Sequence, residues 1–243
     1  MNSQKLDLAV IIPVYNEEGS IEKVINKWST ELLQTSINFE IHVYNDGSKD
    51  KTLHILNRLK QCNKNLIVHN KQNSGHGPTI LKGYCENSYA EWIFQADSDD
   101  EIEPEAFHKF WVRRDKYEFI IGIRTERNSP LSRSIISHTA RILTSILYGK
   151  SVCDVNCPYR LIKVNSFKGC FSSIPKNTFA PNVIVSGYAA WRGLRTAEIE
   201  VLFKPRLTGE VSIKKLKLFK AAIFSGWQVV IHRLYLLFHF KHY

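Results

Sequence analysis

The stretch LDLAVIIPVYN, Leu6 to Asn16, decides the fold. From Leu8 to Ile12 every residue is apolar. A strand with one wet face alternates polar and apolar residues, whereas an unbroken run marks a strand covered on both faces, as in a parallel sheet. Pro13 is expected to end that strand, and the polar turn that follows opens a helix in EEGSIEKVINKWSTELL, with Ile21, Val24, Ile25, Trp28 and Leu32 at helical spacing. The same alternation continues outward. FEIHVYNDGSKD reads as a strand and turn, KTLHILNRLK as a helix, LIVHN as a strand, and GHGPTILKGYCENS as a glycine loop opening a helix. AEWIFQADSD is a fourth strand, EPEAFHKFWVRR a fourth helix and YEFIIGIR a fifth strand.

Strand and helix thus alternate to about residue 124, which implies a doubly wound, mostly parallel α/β sheet. Ligands of such sheets bind beyond the carboxyl ends of the strands. Three turns at that edge are unusually polar: PVYNEE, YNDGSKD and QADSDDE. The second half is less regular. RSIISHTARILTSILYG reads as a helix with Ile135, Ile136, Ile142, Leu143, Ile146 and Leu147 on its apolar side. VCDVNCPYRLIKV and TAEIEVLFKPR read as strands around a turn.

The 243 residues carry a formal net charge of +10, and the 44% hydrophobic fraction excludes wholesale disorder. The basic excess is uneven: from Lys204 to Tyr243 eight Lys or Arg face one acid, Glu210. Such a face could meet nucleic acid, anionic lipid or a polyanionic substrate. The five cysteines form no zinc pattern, so free thiols in a reducing, cytoplasmic compartment are expected. The N-terminus has no apolar signal core, which points away from export. FKAAIFSGWQVVIHRLYLLFHF is apolar but interrupted by Gln228, His232 and Arg233. It reads as an amphipathic segment over 216–243 that lies on a membrane surface, or equally as a helix packed on the domain or on a second subunit.

Against this basic background, FQADSDDEIEPE concentrates six acids: Asp97, Asp99, Asp100, Glu101, Glu103 and Glu105. In extended backbone, residues two apart share a side, so Asp97 and Asp99 can face one ligand and suit Mg²⁺ or Mn²⁺. Acids before a helix also serve as caps and first-turn charges, a role that fits Glu101, Glu103 and Glu105. Spacing alone leaves both readings of the aspartates open. Asp46, in NDGSKD, is either part of an ordinary turn or a carboxylate recognising a nucleotide base. NSGHGPT matches neither a P-loop nor a dinucleotide fingerprint and reads as a tight turn.

Taken in order, VIIPVYNEE, VYNDGSKD, NSGHGPTILKGY and FQADSDDEIEPE resemble the family 2 glycosyltransferases of the GT-A fold. IGIRTERN, DVNCPYRL and KPRLTGEVSIKK look like the branch that includes dolichyl-phosphate mannose synthases and polyprenyl-phosphate sugar transferases. The resemblance covers about residues 7 to 215 and implies a GT-A domain over 1–215, with a nucleotide-sugar half to about 124 and an acceptor half beyond it. By the same resemblance Pro13, Tyr15 and Glu17 line the nucleotide pocket, and Tyr44 and Asp46 hold base and ribose. Asp97, Ser98 and Asp99 form the diphosphate and metal site; Arg124, Arg206 and Lys214 contact phosphates; Asp154 and Arg160 lie near sugar or acceptor. Asn45 departs from the usual first aspartate of its motif, His76 from a common lysine, and RLTGEVSIKK is one residue longer than the usual spacing. Clear transmembrane helices, which some family members carry after the catalytic domain, are not evident.

The activity implied is metal-dependent, inverting transfer from a nucleotide-diphospho-sugar, with Mg²⁺ or Mn²⁺ as cofactor. The acceptor is a polyprenyl phosphate, which needs no general base, or a sugar hydroxyl in surface polysaccharide or glycolipid, for which Asp154 or Asp100 is the base. A peripheral position on the cytoplasmic membrane face follows from the lipid reading. Nucleic acid is not an expected partner, a homo-oligomer stays open, and a non-catalytic basic binding module is the rival from another class.

Overall fold

The computed structural model describes residues 5–125, 131–149, 152–204 and 215–239. Strand β1 (Leu8–Val14) is buried along its whole length, and Pro13 lies within it rather than ending it. Helix α1 (Ile21–Leu33) buries the stripe read from the sequence. It leads to β2 (Phe39–Asn45), α2 (Thr52–Cys62), β3 (Leu66–Asn70) and α3 (His76–Glu86). Then come β4 (Trp92–Gln95), a 3-10 turn over Pro104–Ala106, a short α4 (Phe107–Trp111) and β5 (Phe119–Thr125).

Beyond β5 lie α5 (Leu131–Tyr148), β6 (Arg160–Lys163), α6 (Val164–Ser173), α7 (Pro181–Trp191), β7 (Thr196–Leu202) and α8 (Lys215–His239). The two later strands are therefore separated by two helices, not by a turn. α7 is buried from Pro181 to Ala189, so it has no polar face and no helical periodicity to read. On α5, Leu143 and Leu147 pack on the core, while Ile142 and Ile146 are exposed, against the single apolar side expected.

The strand order is β3-β2-β1-β4-β6-β5-β7. β1 pairs parallel with both β2 and β4, and β5 pairs parallel with β7, but β6 runs antiparallel between β4 and β5. The chain moves outward from β1 to β3 and then crosses back to β4, so the topological switch falls between β1 and β4. The carboxyl ends of β1, β2, β4, β5 and β7 share one edge with the amino end of β6. Beneath it, Trp28, Phe94, Phe107, Phe110 and Tyr159 form an aromatic cluster, with Phe94 and Tyr159 edge to face at 4.6 Å. The Tyr159 hydroxyl donates toward the carbonyls of Glu103 and Pro104, 3.2 Å from each, and holds the acidic loop on the cluster. Among the described residues no helix is long and apolar enough to cross a membrane.

Candidate active site

Two loops at the switch point are laced together. Asn16 sits in the left-handed region (φ 53°), where asparagine is tolerated, and its side-chain oxygen accepts from the Lys49 N–H at 2.8 Å. The Glu17 N–H donates to Thr52 Oγ1 and the Lys51 N–H to Glu18 Oε2. Glu17 is buried. The Ser20 hydroxyl lies 2.8 Å from Glu17 Oε2 and 3.0 Å from the Ser98 carbonyl, so Ser20 joins the first loop to the Asp97–Ser98–Asp99 segment. Pro13 is buried in β1, and Tyr15 stands exposed on the open side.

Asp46 is 3% exposed and already fully engaged. It accepts from the N–H groups of Ser74 (2.8 Å) and Gly75 (2.9 Å) and pairs with Lys71. The glycine loop is therefore curled around a protein carboxylate, with Gly75 at φ 96°, a conformation other residues rarely adopt. Tyr44 does not face a base: it is wholly buried, stacked on His69 at 4.2 Å, and its hydroxyl accepts from Asn87 Nδ2. In a sheet covered on both faces, alternate residues point into the helical layers, and Tyr44 is one of them. Arg160 is likewise not an acceptor contact. Its guanidinium, fully buried, donates to the carbonyls of Cys157, Asn182 and Val155, and so clamps the loop before β6 onto α7.

The acids of the β4 loop divide. Asp97 Oδ1 is buried without a hydrogen-bond partner, 3.8 Å from His76 Nε2. Burial, then the charges of Asp97 and Glu101, push the Asp99 carboxyl up to about 8. Two carboxyls that raise the cost of ionisation, with no Lys or Arg ion pair on either among the described residues, are the environment a hard divalent cation relieves. Among the described residues no three His, Cys, Asp or Glu are grouped to hold a metal, so Asp97 and Asp99 would be the protein side chains that hold one. Asp100, at φ 59°, turns away: Lys23 (2.7 Å) and Lys27 (2.9 Å) grip it, and against partial burial these ammoniums hold its carboxyl below the usual range. Glu103 pairs with Lys27 and Lys204. Glu103 stands at the N-cap of the Pro104–Ala106 turn and Glu105 in its first turn, as expected, but the Glu103 side chain makes no capping hydrogen bond. Asp100 and Glu103 instead tie α1 and Lys204, two residues beyond β7, to the acidic loop.

Across the site, Arg124 forms a two-pronged pair with Asp154, Nε to Oδ2 at 2.7 Å and Nη2 to Oδ1 at 2.9 Å. Both side chains are largely buried, so each neutralises the other. Arg206 and Lys214 lie outside the described residues. The partners that sequence reading missed are Ser20, Lys27 and Lys71. Only their spacing from acidic loops hints at them, and that spacing is set by the fold.

A strand-end pair of aspartates at a β1/β4 switch point, with one antiparallel strand in the sheet, now stands beside the family comparison: residues 9–171 match the model described as Glycosyl transferase family 2. The chain belongs to this family. Among family 2 relatives, the undecaprenyl-phosphate 4-deoxy-4-formamido-L-arabinose transferase of Pseudomonas aeruginosa is 26% identical over 222 residues, 90% of this chain and 64% of the relative. An uncharacterized glycosyltransferase, YkcC of Bacillus subtilis, is 25% identical over 223 residues, 91% of this chain and 68% of the relative. The chain thus spans less than two thirds of the length of the first of these. Glucosyl-3-phosphoglycerate synthase from Mycobacterium tuberculosis, crystallised with Mn²⁺, UDP-glucose and phosphoglyceric acid, aligns with a TM-score of 0.68 at 14% identity, over 93% of this chain and 79% of that one. S. aureus TarS, crystallised with UDP-GlcNAc, aligns at 0.57 with 19% identity, over 94% of this chain and 71% of that one. At these identities the likeness is one of fold, the GT-A fold.

Proposed function

We propose that this family 2 chain transfers a sugar, with inversion, from a nucleotide-diphospho-sugar to a polyprenyl phosphate, using Mg²⁺ or Mn²⁺ held by Asp97 and Asp99. The observation that carries the reading is how the acids divide: among the described residues Asp97 and Asp99 have no Lys or Arg ion-pair partner and burial disfavours ionising Asp99, whereas Asp100 and Asp154 are each neutralised by basic partners. A sugar hydroxyl must lose a proton to attack, and Asp100 and Asp154, the carboxylates expected to take it, are both ion-paired. A phosphate monoester, with a second pKa of about 6, is already charged near neutrality and needs no base. The Pseudomonas relative, an undecaprenyl-phosphate 4-deoxy-4-formamido-L-arabinose transferase, supports the same acceptor.

The acceptor phosphate oxygen attacks C1, and the C1–O bond to the leaving diphosphate breaks with its electron pair on that oxygen. A bound divalent ion supplies charge neutralisation at the diphosphate. Tyr15 and Glu17 border the donor pocket, and Ser20 fixes the loop that carries Ser98 and Asp99 against Glu17. Asp46 acts one step back, by shaping the glycine loop beside His76. Arg124 is held by Asp154 in one orientation, which costs no reordering when an anion arrives. The basic, apolar C-terminal segment places the chain peripherally on an anionic membrane, where each Lys or Arg near the surface contributes about 1 kcal/mol.

The test is transfer from a panel of nucleotide-sugars, with Mn²⁺ or Mg²⁺, to a short polyprenyl phosphate and to free sugars. Transfer to the phosphate with a product anomer opposite to the donor is expected. Transfer only to a sugar hydroxyl overturns the acceptor, and full activity in chelator overturns the metal.

A further inference from the structure

α8 turns two faces to its surroundings. Gln228, Val229, His232 and Leu236 are buried against the body, while Phe224, Trp227, Ile231, Leu234 and Phe238 stand exposed at helical spacing. The exposed stripe is large and aromatic, and residues 204–220 before it carry six Lys or Arg against Glu210. Its charge complement is an anionic bilayer, the partner taken above, on which this inference rests.

The body face carries a polar contact that leads to the donor edge. Gln228 Oε1 accepts from the Phe179 N–H at 2.9 Å, and Gln228 Nε2 donates to the Asn177 carbonyl at 3.4 Å. The backbone of the same turn lies against α3: a Cβ on Gly77 would stand 2.1 Å from the Phe179 carbonyl oxygen and 2.5 Å from that of Thr178. His76, one residue before Gly77, faces Asp97. Phe179 itself is 39% exposed and so extends the apolar surface toward that edge.

We propose that Gln228 is a positioning residue: through the 177–179 turn it ties the bilayer-facing helix to the glycine loop at Gly77, so that seating α8 on an anionic membrane steadies the donor edge. The link has no slack. Gly77 touches the turn with no side chain between, and both hydrogen-bonding ends of the Gln228 amide are committed to the turn. Bilayer contact that restrains α8 therefore restrains the loop, a coupling whose ordinary size is about fivefold or more in equilibrium constant.

The test needs no substrate. Backbone hydrogen exchange of Ser74 to Thr79 is measured alone and with vesicles of mixed phosphatidylglycerol and phosphatidylcholine, alongside co-sedimentation. Exchange of these amides is expected to slow about fivefold or more on vesicle binding. Gln228→Ala is expected to co-sediment as before yet lose that protection, and Gln228→Glu, which keeps an acceptor for the Phe179 N–H, to regain part of it. Vesicle binding by the wild type with unchanged exchange overturns the coupling, whatever the variants do. Absence of vesicle binding, or concentration-dependent dimerisation through α8 in its place, overturns the membrane reading beneath it.

Discussion

At the scale of the residue, the acidic loop shows how fold geometry sorts like side chains into different chemistry. Asp97 and Asp99 lie two apart just beyond β4 with no Lys or Arg ion pair among the described residues, while Asp100 swings into a left-handed turn and is neutralised by Lys23 and Lys27. Replacing Asp99 by Asn removes a group whose ionised form is disfavoured by burial and by Asp97. Without divalent ion, the Asp99→Asn protein is expected to melt no lower than the wild type at neutral pH, yet to lose about a hundredfold or more in transfer rate. Calorimetry and a turnover assay check the two halves, and a marked fall in melting temperature would mark Asp99 as structural instead. The Asp-x-Asp spacing could be read but left both readings of the aspartates open, and β4 ends at Gln95, so the bend after the strand, not strand period, places the two carboxylates. Tyr44 and Arg160 were not legible, because the direction of a side chain at a strand end depends on which helix layer covers it. Asp46 was half legible: its place at the edge could be read, but the loop wrapped around it comes from a distant part of the chain.

At the scale of the element, β1 to β5 were readable because each is an apolar run between turn residues. The antiparallel β6 was not, since nothing local in YRLIKV records the direction of its neighbours. α7 was hidden for the opposite reason, burial on all sides. α8 carries a second testable consequence. His232 is buried between the Tyr148 hydroxyl, at 2.9 Å, and the Ser173 hydroxyl, at 2.8 Å, with Arg233 beside it on α8 and over the Tyr148 ring. Burial pushes its imidazole down to about 4. An unfolded histidine titrates near 6.5, so as pH falls the unfolded chain takes up the proton first. The contribution is full above about 6.5 and is lost as pH falls through about 4, at about 1.4 kcal/mol per unit, or about 3 kcal/mol in all. Urea melts at pH 7 and pH 4.5 should show this fall in the wild type and a flatter one in His232→Gln. An equal slope in both would place the acid sensitivity elsewhere.

At the scale of the whole molecule, the sheet brings to one edge residues from 13 to 204, and the site exists only when the switch between β1 and β4 is formed. Alternation of strand and helix made that edge legible, together with the polar turns that crowd it. The contacts that stiffen it (Ser20 to Ser98, Lys204 to Glu103, Gly77 to Phe179) join segments far apart in sequence and leave no local pattern. A site assembled from the native fold alone binds only the native state, so its ligand must raise thermal stability by mass action. A donor nucleotide-sugar present with Mn²⁺ at about a hundred times its dissociation constant contributes about 2.7 kcal/mol. For a chain of this size each kcal/mol is about 2–4 °C, which sets the expected rise at roughly 5–10 °C. The rise should need both components, because on the proposed reading Asp97 and Asp99 would hold the ion that neutralises the diphosphate, and it should vanish in Asp97→Asn. A shift of the same size without Mn²⁺, or one kept by Asp97→Asn, would mean that the nucleotide binds away from the β4 loop.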